Sequence, residues 1–423
     1  MLSDAKQAVA IWRIQDGLQY GLLGLPLAFV ALPLYVILPN HYAREFGVPL
    51  ATLGSLLLVA RLFDAVVDPW LGRVCDRLFA RSVSSVLRVC TGGAAVLALG
   101  FAALFFPPVR GDALVLWALA ALLVTYIAYS LVSVAHQSWG ARLGGDELQR
   151  SAIVSWREGL GLVGVLLASV LPIVAGLGVT TAVLYAGLMV GMLAWSHARV
   201  PVRQTGSVHA VVSLWLPFSR PGFRALLAVF MVNGIASAVP ATLVLFFIQD
   251  LLQAPKKFEA AFLGAYFLTA ALSMPLWLRG VARFGLWRAW LCGMLLAVAV
   301  FVWAATLGAG DVVAFMLVCG LSGVALGADL AVPSALLAGV IAKSGDQGAN
   351  EGAYFGWWNF AIKLNLALAA GLSLPMLGLF GYSPGVRTAD ALQALVLAYC
   401  VLPCALKLIA ACALFISARG QKF

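Results

Sequence analysis

Residues 159–198 read GLGLVGVLLASVLPIVAGLGVTTAVLYAGLMVGMLAWSHA, forty residues without a single Asp, Glu, Lys or Arg. One helix of this length, at about 1.5 Å per residue, would be about twice as long as the hydrocarbon core of a bilayer is thick. Gly176 and Gly178 divide the run near its middle, and glycines are common in turns. We therefore predict two membrane-spanning helices joined by a hairpin turn at these glycines.

The composition of the whole chain agrees with a membrane protein. The 423 residues are 63% hydrophobic and 10% charged, with a mean hydropathy of +1.00, whereas soluble globular proteins are about half apolar and about a quarter charged. Twelve helices of about 20 residues would use about 240 positions. The remainder suffices for loops and termini, which excludes a large extramembrane catalytic domain.

Uncharged stretches locate the spans, because a charged side chain at the bilayer centre costs about 2.5–3.5 kcal/mol on insertion scales. They predict twelve helices, near residues 17–39, 47–72, 86–106, 112–138, 153–176, 180–198, 223–249, 259–279, 286–308, 311–341, 351–379 and 390–417. The expected fold class is an all-α, multi-pass integral membrane protein of the cell (plasma or inner) membrane.

The basic residues indicate orientation rather than nucleic-acid binding. The net charge is +10, but no run of adjacent basic residues exceeds the pair Lys256-Lys257. With both termini in the cytoplasm, 19 Lys and Arg residues fall on that side and five on the other, which is the bias of the positive-inside rule. We expect cytoplasmic termini and no nucleic-acid partner.

The chain divides into two halves at its longest polar connection, Arg199 to Arg224, which contains three prolines. The predicted organisation is an N-terminal half of six helices (1–198), a cytoplasmic linker (199–222) and a C-terminal half of six helices (223–423). The connections after the second and eighth helices, 68–77 and 275–285, are both basic and both contain glycine. Such a faint internal repeat is typical of transporters.

Two acids interrupt the predicted second helix. Asp64 and Asp68 are one helical turn apart, so their carboxylates share a face and repel each other. A bound cation, a proton on one carboxyl or a basic partner must neutralise them. The pair is suited to coupling Na⁺ or H⁺, and carboxylate oxygens would make it a possible Na⁺ site. The alternative is structural, with Asp64 paired to Arg61 and Asp68 to Arg73 near the cytoplasmic surface.

Lys363 is the corresponding exception in the eleventh helix. It is the only charged residue between Gly352 and Val386, and from mid-span it cannot easily reach the interface. It requires a counter-ion, which could be Asp329 in the tenth helix or the Asp64 and Asp68 pair across a central cavity. A purely structural Asp329–Lys363 bridge is the alternative to a functional role.

Other polar residues could line a cavity. Ser130, Ser133 and Gln137 recur at i, i+3 and i+7 in the fourth helix, a spacing that places them on one face, although such groups also join helices. Arg150 and Arg157 are seven residues apart at the start of the fifth helix. They either bind an anionic substrate group or lie at the membrane surface.

One motif is misleading. Gly159, Gly161 and Gly164 satisfy the pattern G-x-G-x-x-G, which in dinucleotide-binding proteins follows a strand in a βαβ unit. Here the glycines open a charge-free span, where small residues allow helices to approach closely. We interpret them as packing residues.

The segment 61–72, RLFDAVVDPWLG, resembles the second-helix signature of the glycoside–pentoside–hexuronide:cation symporters, the melibiose permease group of the major facilitator superfamily. Further similar features are Tyr20-Gly21, Gln149-Arg150, Trp156-Arg157, Pro333, Lys363 and Gly381-Tyr382. The resemblance implies a major facilitator fold of two pseudo-symmetric six-helix halves. It also implies cation binding by Asp64 and Asp68, a cation-site oxygen from Ser130, a coupling lysine at Lys363 and a substrate-region arginine at Arg157.

The chain departs from the family where sugar is bound. Ala28 and Ser133 stand in the places of two sugar-binding acids, Gln137 replaces the tryptophan that stacks on sugar, and Val67 replaces an asparagine between the cation-site acids. We therefore expect a substrate other than a galactoside, such as a less hydroxylated, amphipathic or anionic compound. The expected cavity residues are Ser133, Gln137, Arg157, Asp329, Trp357, Trp358 and Asn359.

These features predict a secondary active transporter, not an enzyme, that couples a small molecule to a cation or proton by alternating access. No cofactor is expected besides Na⁺ or H⁺ as coupling ion, and the partners are the substrate and membrane lipids, with the protein a monomer. One alternative is a lipid flippase or exporter on the same fold. A second is a membrane prenyltransferase-type enzyme with an Mg²⁺–diphosphate site at Asp64, Asp68 and Asp76.

Overall fold

The structure is a computed structural model that describes residues 12–201, 213–379, 381–382 and 385–420. Within these residues all regular secondary structure is helical and there is no strand. Its long helices are α1 (Ile14–Glu45), α2 (Leu50–Arg81), α3 (Val83–Phe105), α4 (Asp112–Arg142), α5 (Glu147–Val174), α6 (Gly176–Ser196), α7 (Pro221–Leu251), α8 (Glu259–Phe284), α9 (Leu286–Ala304), α10 (Val312–Lys343), α11 (Glu351–Leu379) and α12 (Ala389–Arg419). The predicted all-α membrane fold is confirmed. Lys6, Arg203 and Lys422, which contribute to the predicted charge bias, lie outside the described residues.

Ten of these helices are long and apolar enough to cross a membrane by length and composition alone. The two others, α2 and α11, carry Asp64, Asp68 and Lys363. α2 differs from a plain apolar span because Arg61, Asp64, Asp68 and Arg73 lie within it.

Several spans are bent at prolines, because proline lacks the backbone N–H that an α-helix requires. In α1 a π-helical turn covers Pro33–Ile37, and in α12 another covers Leu397–Val401 just before Pro403. α10 is interrupted at Val332, one residue before Pro333. The spans continue through these breaks.

The hairpin between α5 and α6 forms at the predicted glycines. α5 ends at Val174, α6 begins at Gly176, and Gly176 has a φ of +78°. This left-handed conformation is unfavourable for residues with a Cβ atom but open to glycine. The prediction of two spans within the charge-free stretch is confirmed.

Gly161 and Gly164 of the G-x-G-x-x-G motif lie where α5 packs against α1, and Gly159 faces Met274 of α8. A Cβ atom added at Gly164 would lie 2.1 Å from the carbonyl oxygen of Leu25, and one at Gly161 would lie 3.3 Å from the Cβ of Ala28. The interpretation of these glycines as packing residues is confirmed.

The two halves are tied together at the end of the bundle where α2 ends and α11 begins. Gly72 and Gly352 are so close that a Cβ on either would lie 2.0–2.1 Å from the other's carbonyl oxygen. At the same end the Glu147 carboxylate accepts a hydrogen bond from the Leu286 backbone N–H at 2.9 Å, which joins the start of α5 to the start of α9. We call this region the closed end.

The segment that leads into α7 is also fixed at the closed end. Arg220 donates two hydrogen bonds to Asp346, from Nε to Oδ2 at 2.9 Å and from Nη2 to Oδ1 at 2.8 Å. These bonds raise the pKa of Arg220. The tie connects the end of the predicted linker to the loop between α10 and α11.

Candidate functional site

Lys363 reaches from α11 to α2 and lies between its two acids. The Nζ atom is 2.6 Å from Asp64 Oδ1 and 2.7 Å from Asp68 Oδ2. Ser130 of α4 donates its hydroxyl hydrogen to Asp64 Oδ1 at 2.9 Å and accepts a hydrogen bond from Lys363 Nζ, also at 2.9 Å. These four residues, which we call the Lys363 cluster, are the four that the sequence predicted as coupling residues.

The local sequence explains why α11 packs so closely against α2. Asp64 and Asp68 share one face of α2 because they are four residues apart. Gly356 of α11 lies against the same turn of α2, and a Cβ there would be 2.7 Å from the carbonyl oxygen of Asp68. Without a side chain at this position the helices approach closely, and Lys363, about two turns further along α11, reaches both carboxylates.

The Lys363 cluster is buried and its charges do not cancel. Asp64 is 2% exposed, Asp68 is 0% exposed, and the Lys363 side chain is 18% exposed. Two carboxylates and one ammonium leave one negative charge, and buried charges are costly unless they are paired. Among the described residues, none forms a hydrogen bond with Asp68 Oδ1. The cluster therefore has the capacity for one further proton or monovalent cation.

The structural alternative for the two acids is wrong. Their basic partner is Lys363 and neither Arg61 nor Arg73. The Arg61 guanidinium instead lies over the Tyr35 ring, 4.2 Å from its centroid. Arg61 is three residues before Asp64 on the helix, but its side chain is directed to the exposed side of α2, whereas the acids face α11.

The proposed Asp329–Lys363 bridge is also wrong, because Asp329 pairs with Lys407 of α12. Lys407 Nζ is 2.9 Å from Asp329 Oδ2 and donates to Asn233 Oδ1 at 2.9 Å. The Asp329 carboxylate also accepts hydrogen bonds from Asn233, Ser237 and Trp290, at 3.0, 3.1 and 2.8 Å. All these residues belong to the C-terminal helices, and together they occupy both oxygens of the Asp329 carboxylate. Contrary to the prediction, Asp329 is therefore not a cavity residue.

The sequence argument missed Lys407 as a partner. It is a third basic residue within a span, and it is 4% exposed. The available signal was charge counting: at mid-span in the C-terminal helices the sequence has two bases, Lys363 and Lys407, and one acid, Asp329. One of the two lysines therefore needed an acid from the N-terminal helices.

Three predicted cavity residues form a polar chain between the halves. Gln137 Nε2 of α4 lies 3.1 Å from Ser133 Oγ on the same helix and 3.2 Å from Asn359 Oδ1 on α11. Ser130 and Ser133 continue the same face of α4. The structure thus brings Ser133, Gln137 and Asn359 together one to two turns from the Lys363 cluster.

The two predicted tryptophans serve packing instead. The Trp357 ring lies 4.9 Å from that of Trp215, centroid to centroid, and its Nε1 donates to the Leu214 carbonyl at 3.0 Å. Trp358 stacks on Phe230 with centroids 3.8 Å apart. Trp357 and Trp358 are therefore not cavity residues, because the chain segment before α7 and α7 itself cover their rings.

Arg157 is buried on α5 and pairs with its neighbour Glu158. Together with Arg150, it lines a small cavity between the halves, to which Tyr20, Gln137 and Ser334 also contribute. Of the two interpretations of these arginines, the structure contradicts a position at the membrane surface for Arg157, whose side chain is only 12% exposed.

A third charged cluster, which the sequence did not predict, lies at the closed end. Asp76 accepts hydrogen bonds from the Gly352 and Ala353 backbone N–H groups at 2.7 and 2.9 Å, so it caps the start of α11. Arg142 Nη2 lies 2.9 Å from Asp76 Oδ1 and 3.0 Å from Glu351 Oε2. Since Asp76 is engaged here, it does not join Asp64 and Asp68 in the diphosphate site that the enzyme alternative required.

Comparison with known proteins agrees with this architecture. The sequence matches the family described as MFS/sugar transport protein over residues 19–417. It is 26% identical over 167 residues to the putative glycoside/cation symporter YagG of Escherichia coli K12, covering 39% of this chain and 36% of that protein. It is 28% identical over 130 residues to the inner membrane symporter YicJ of the same organism, covering 31% and 28%. The chain matches about a third of the length of these curated relatives.

Two solved structures have the same fold. A bacterial homologue of the iron transporter ferroportin, in an outward-facing state, superposes with a TM-score of 0.71 at 14% identity, covering 96% of this chain and 100% of that chain. The major facilitator superfamily transporter FucP, in an outward conformation, superposes with a TM-score of 0.64 at 15% identity, covering 94% and 99%. Since the family match spans nearly the whole chain and the structures share its helix arrangement, the chain belongs to the MFS/sugar transport protein family of multi-pass membrane transporters.

Proposed function

We propose that the protein is a secondary active symporter that couples one monovalent cation, Na⁺ or H⁺, to a small-molecule substrate by alternating access. The observation that carries this proposal is the buried Lys363 cluster, with its one uncompensated negative charge at the contact between the halves. Acceptance of a cation there changes the interaction between α2 and α11, so it changes the relative free energy of the two ways the halves can pack.

Lys363 links cation binding to the contact between the two halves. The ammonium sits 2.6–2.7 Å from both acids, at the position that a free cation would also favour. A cation or proton that binds the two acids weakens their electrostatic attraction for Lys363. The acids belong to the N-terminal half and Lys363 belongs to the C-terminal half. Cation binding and the contact between halves therefore compete for the same two carboxylates.

The closed end supports a transporter that opens one end at a time. The contacts of Asp76, Arg142 and Glu147 with α9 and α11 close one end of the bundle. In our proposal this is the cytoplasmic end, with both termini there. The printed names of the relatives, a glycoside/cation symporter and an inner membrane symporter, support symport as the mode of transport.

We further propose that the working unit is a monomer in the cell (plasma or inner) membrane, surrounded by lipid, and that the substrate is not a galactoside. Ser133, Gln137 and Asn359, with Arg157 nearby, are the proposed substrate-cavity residues. They offer hydroxyl, amide and guanidinium groups, and no carboxylate pair for sugar hydroxyls.

The test is uptake into proteoliposomes of a substrate found by thermal-shift screening, with Na⁺ and proton gradients imposed separately. We expect accumulation to require one of the gradients and to be lost in Asp64→Asn and Asp68→Asn. Asp390→Asn is the matched control, because Asp390 is an exposed acid in the first turn of α12. Accumulation that persists in the Asp64 and Asp68 variants with both gradients collapsed contradicts coupling. Net efflux under the same gradients would favour the flippase or exporter alternative.

A further inference from the structure

Glu158 is an acid on α5 that takes no part in the Lys363 cluster. It follows Arg157 in the chain, and its carboxylate accepts a hydrogen bond from the Arg157 guanidinium and forms an ion pair with it. The side chain of Arg157 is 12% exposed and that of Glu158 is 26% exposed. A carboxylate of the protein itself therefore neutralises the buried guanidinium.

The Glu158 carboxylate lies near the proposed substrate cavity. It interacts electrostatically with Tyr20 of α1, which lines the small cavity between the halves. It also interacts with Tyr129 of α4, which precedes Ser130 and interacts in turn with both acids of the Lys363 cluster. The carboxylate is thus within electrostatic reach of the cavity on one side and of the cation cluster on the other.

Arg150, the second arginine that lines this cavity, has acidic neighbours as well. Asp146 and Glu147 precede it by four and three residues, a spacing that places them about one turn away along α5. Both carboxylates interact electrostatically with Arg150. Each of the two arginines of the cavity therefore has at least one acidic partner within the protein.

We propose that Glu158 determines substrate specificity by occupying the guanidinium of Arg157, so that the transporter selects an uncharged, hydrogen-bonding substrate and rejects carboxylates and other anions. This inference rests on the proposed symport function and adds the substrate class. Ser133, Gln137 and Asn359 supply the hydroxyl and amide groups that an uncharged polar substrate requires.

An anionic substrate would have to compete with Glu158 for the same guanidinium. Because Glu158 is the next residue in the chain, its carboxylate is held near Arg157 at a high effective concentration, about millimolar or above for so short a connection. A carboxylate that displaced it would form one ion pair and break another. It would also leave Glu158 partly buried without a counter-charge, which is costly. An uncharged substrate leaves the ion pair intact and avoids both penalties.

The negative charge of the Lys363 cluster acts in the same direction. Buried charges are poorly screened by salt, so this cluster repels an anion that enters the cavity before the coupling cation has bound. Rejection by unfavourable charge is a common source of specificity. An uncharged substrate does not experience this repulsion, whichever of cation and substrate binds first.

The experiment measures thermal unfolding of the full-length protein in detergent, in potassium formate and in potassium methanesulfonate at equal ionic strength. Glu158→Gln leaves Arg157 without its partner, so the unfolding midpoint in methanesulfonate should fall below that of the wild type. Formate can replace the missing carboxylate and should raise the midpoint of this variant by about 3 °C or more over that in methanesulfonate. The wild type should have the same midpoint in both salts, because Glu158 already occupies the guanidinium.

Two further variants serve as controls. Glu45→Gln, at an exposed position at the end of α1, should behave as the wild type. The double variant Arg157→Met with Glu158→Gln removes both charges, so it should be more stable than Glu158→Gln in methanesulfonate and should not respond to formate.

Three results would overturn the proposal. The first is stabilisation of the wild type by formate as large as that of Glu158→Gln, since Arg157 would then be open to anions. The second is a Glu158→Gln protein that is as stable as the wild type and indifferent to formate. The third is accumulation of a carboxylate-bearing compound by wild-type proteoliposomes. The formate response of Glu158→Gln should persist when Asp68→Asn is added, so failure of anion rejection and failure of cation coupling are distinguishable.

Discussion

Lys363 Nζ lies 2.6 Å from Asp64 Oδ1 although 299 residues separate the two in the chain. The contact joins the N-terminal helices to the C-terminal helices at membrane depth. Because Asp68 is bound at nearly the same distance, a single ammonium holds two carboxylates one helical turn apart. This sharing makes the lysine a structural tie between the halves and, in the proposed function, a competitor for the coupling cation.

Replacing Lys363 with methionine should make stability depend on inorganic cations. The variant leaves Asp64 and Asp68 buried without a counter-charge, and loss of one partner of a buried pair costs about 3–5 kcal/mol. We expect a lower unfolding midpoint in choline chloride and partial recovery in NaCl or LiCl at equal ionic strength. Lys343→Met, at an exposed position at the end of α10, is the control. Full stability of Lys363→Met in choline chloride would show that another group neutralises the acids.

Replacing Lys407 with methionine should destabilise the protein without creating a cation response. The Asp329 carboxylate would stay buried with only neutral donors, at a cost of about 3–5 kcal/mol. The double variant Asp329→Asn with Lys407→Met removes both charges, and it should recover much of the loss. The check is thermal unfolding of both variants in NaCl and in choline chloride. Stabilisation of Lys407→Met by Na⁺ would refute a purely structural pair.

Gly72→Ala should weaken the closed end. The new Cβ would lie 2.0 Å from the Gly352 carbonyl oxygen, and backbone atoms cannot move aside as a flexible side chain can. We expect a loss of about 1–3 kcal/mol, as for overpacking, seen as a lower unfolding midpoint. Gly92→Ala on α3 has nothing within 4 Å of the added Cβ and should be neutral or slightly stabilising. Equal midpoints for the two variants would contradict the tight α2–α11 contact.

The two hairpin glycines should respond differently to alanine. Gly176 has a φ of +78°, where a Cβ costs about 1–2 kcal/mol, so Gly176→Ala should be destabilising. Gly178 lies inside α6, and its added Cβ meets nothing within 4 Å. Gly178→Ala should stabilise the helix by up to about 1 kcal/mol. Denaturation midpoints of both variants test the pair, and a neutral Gly176→Ala would rule out backbone strain at the turn.

Much of the fold could be predicted because the membrane constrains each segment by itself. The absence of charge from 159 to 198 and the turn at Gly176 are local properties, and the structure has the hairpin there. The need of Asp64, Asp68 and Lys363 for partners was also predicted, because buried charges in a bilayer must be neutralised, and the family resemblance placed them with Ser130 as coupling residues. What could not be predicted was which partners they take.

The amino-acid sequence alone determined that the chain crosses the membrane about a dozen times and that a few charges inside it need neutralising, since the cost of a charge in hydrocarbon depends on local composition. Tertiary structure alone decided that Lys363 forms ion pairs with Asp64 and Asp68, that Lys407 pairs with Asp329, and that Asp76 caps α11. Partner choice depends on which helices cross closely and on which faces meet, and contacts between helices hundreds of residues apart set both.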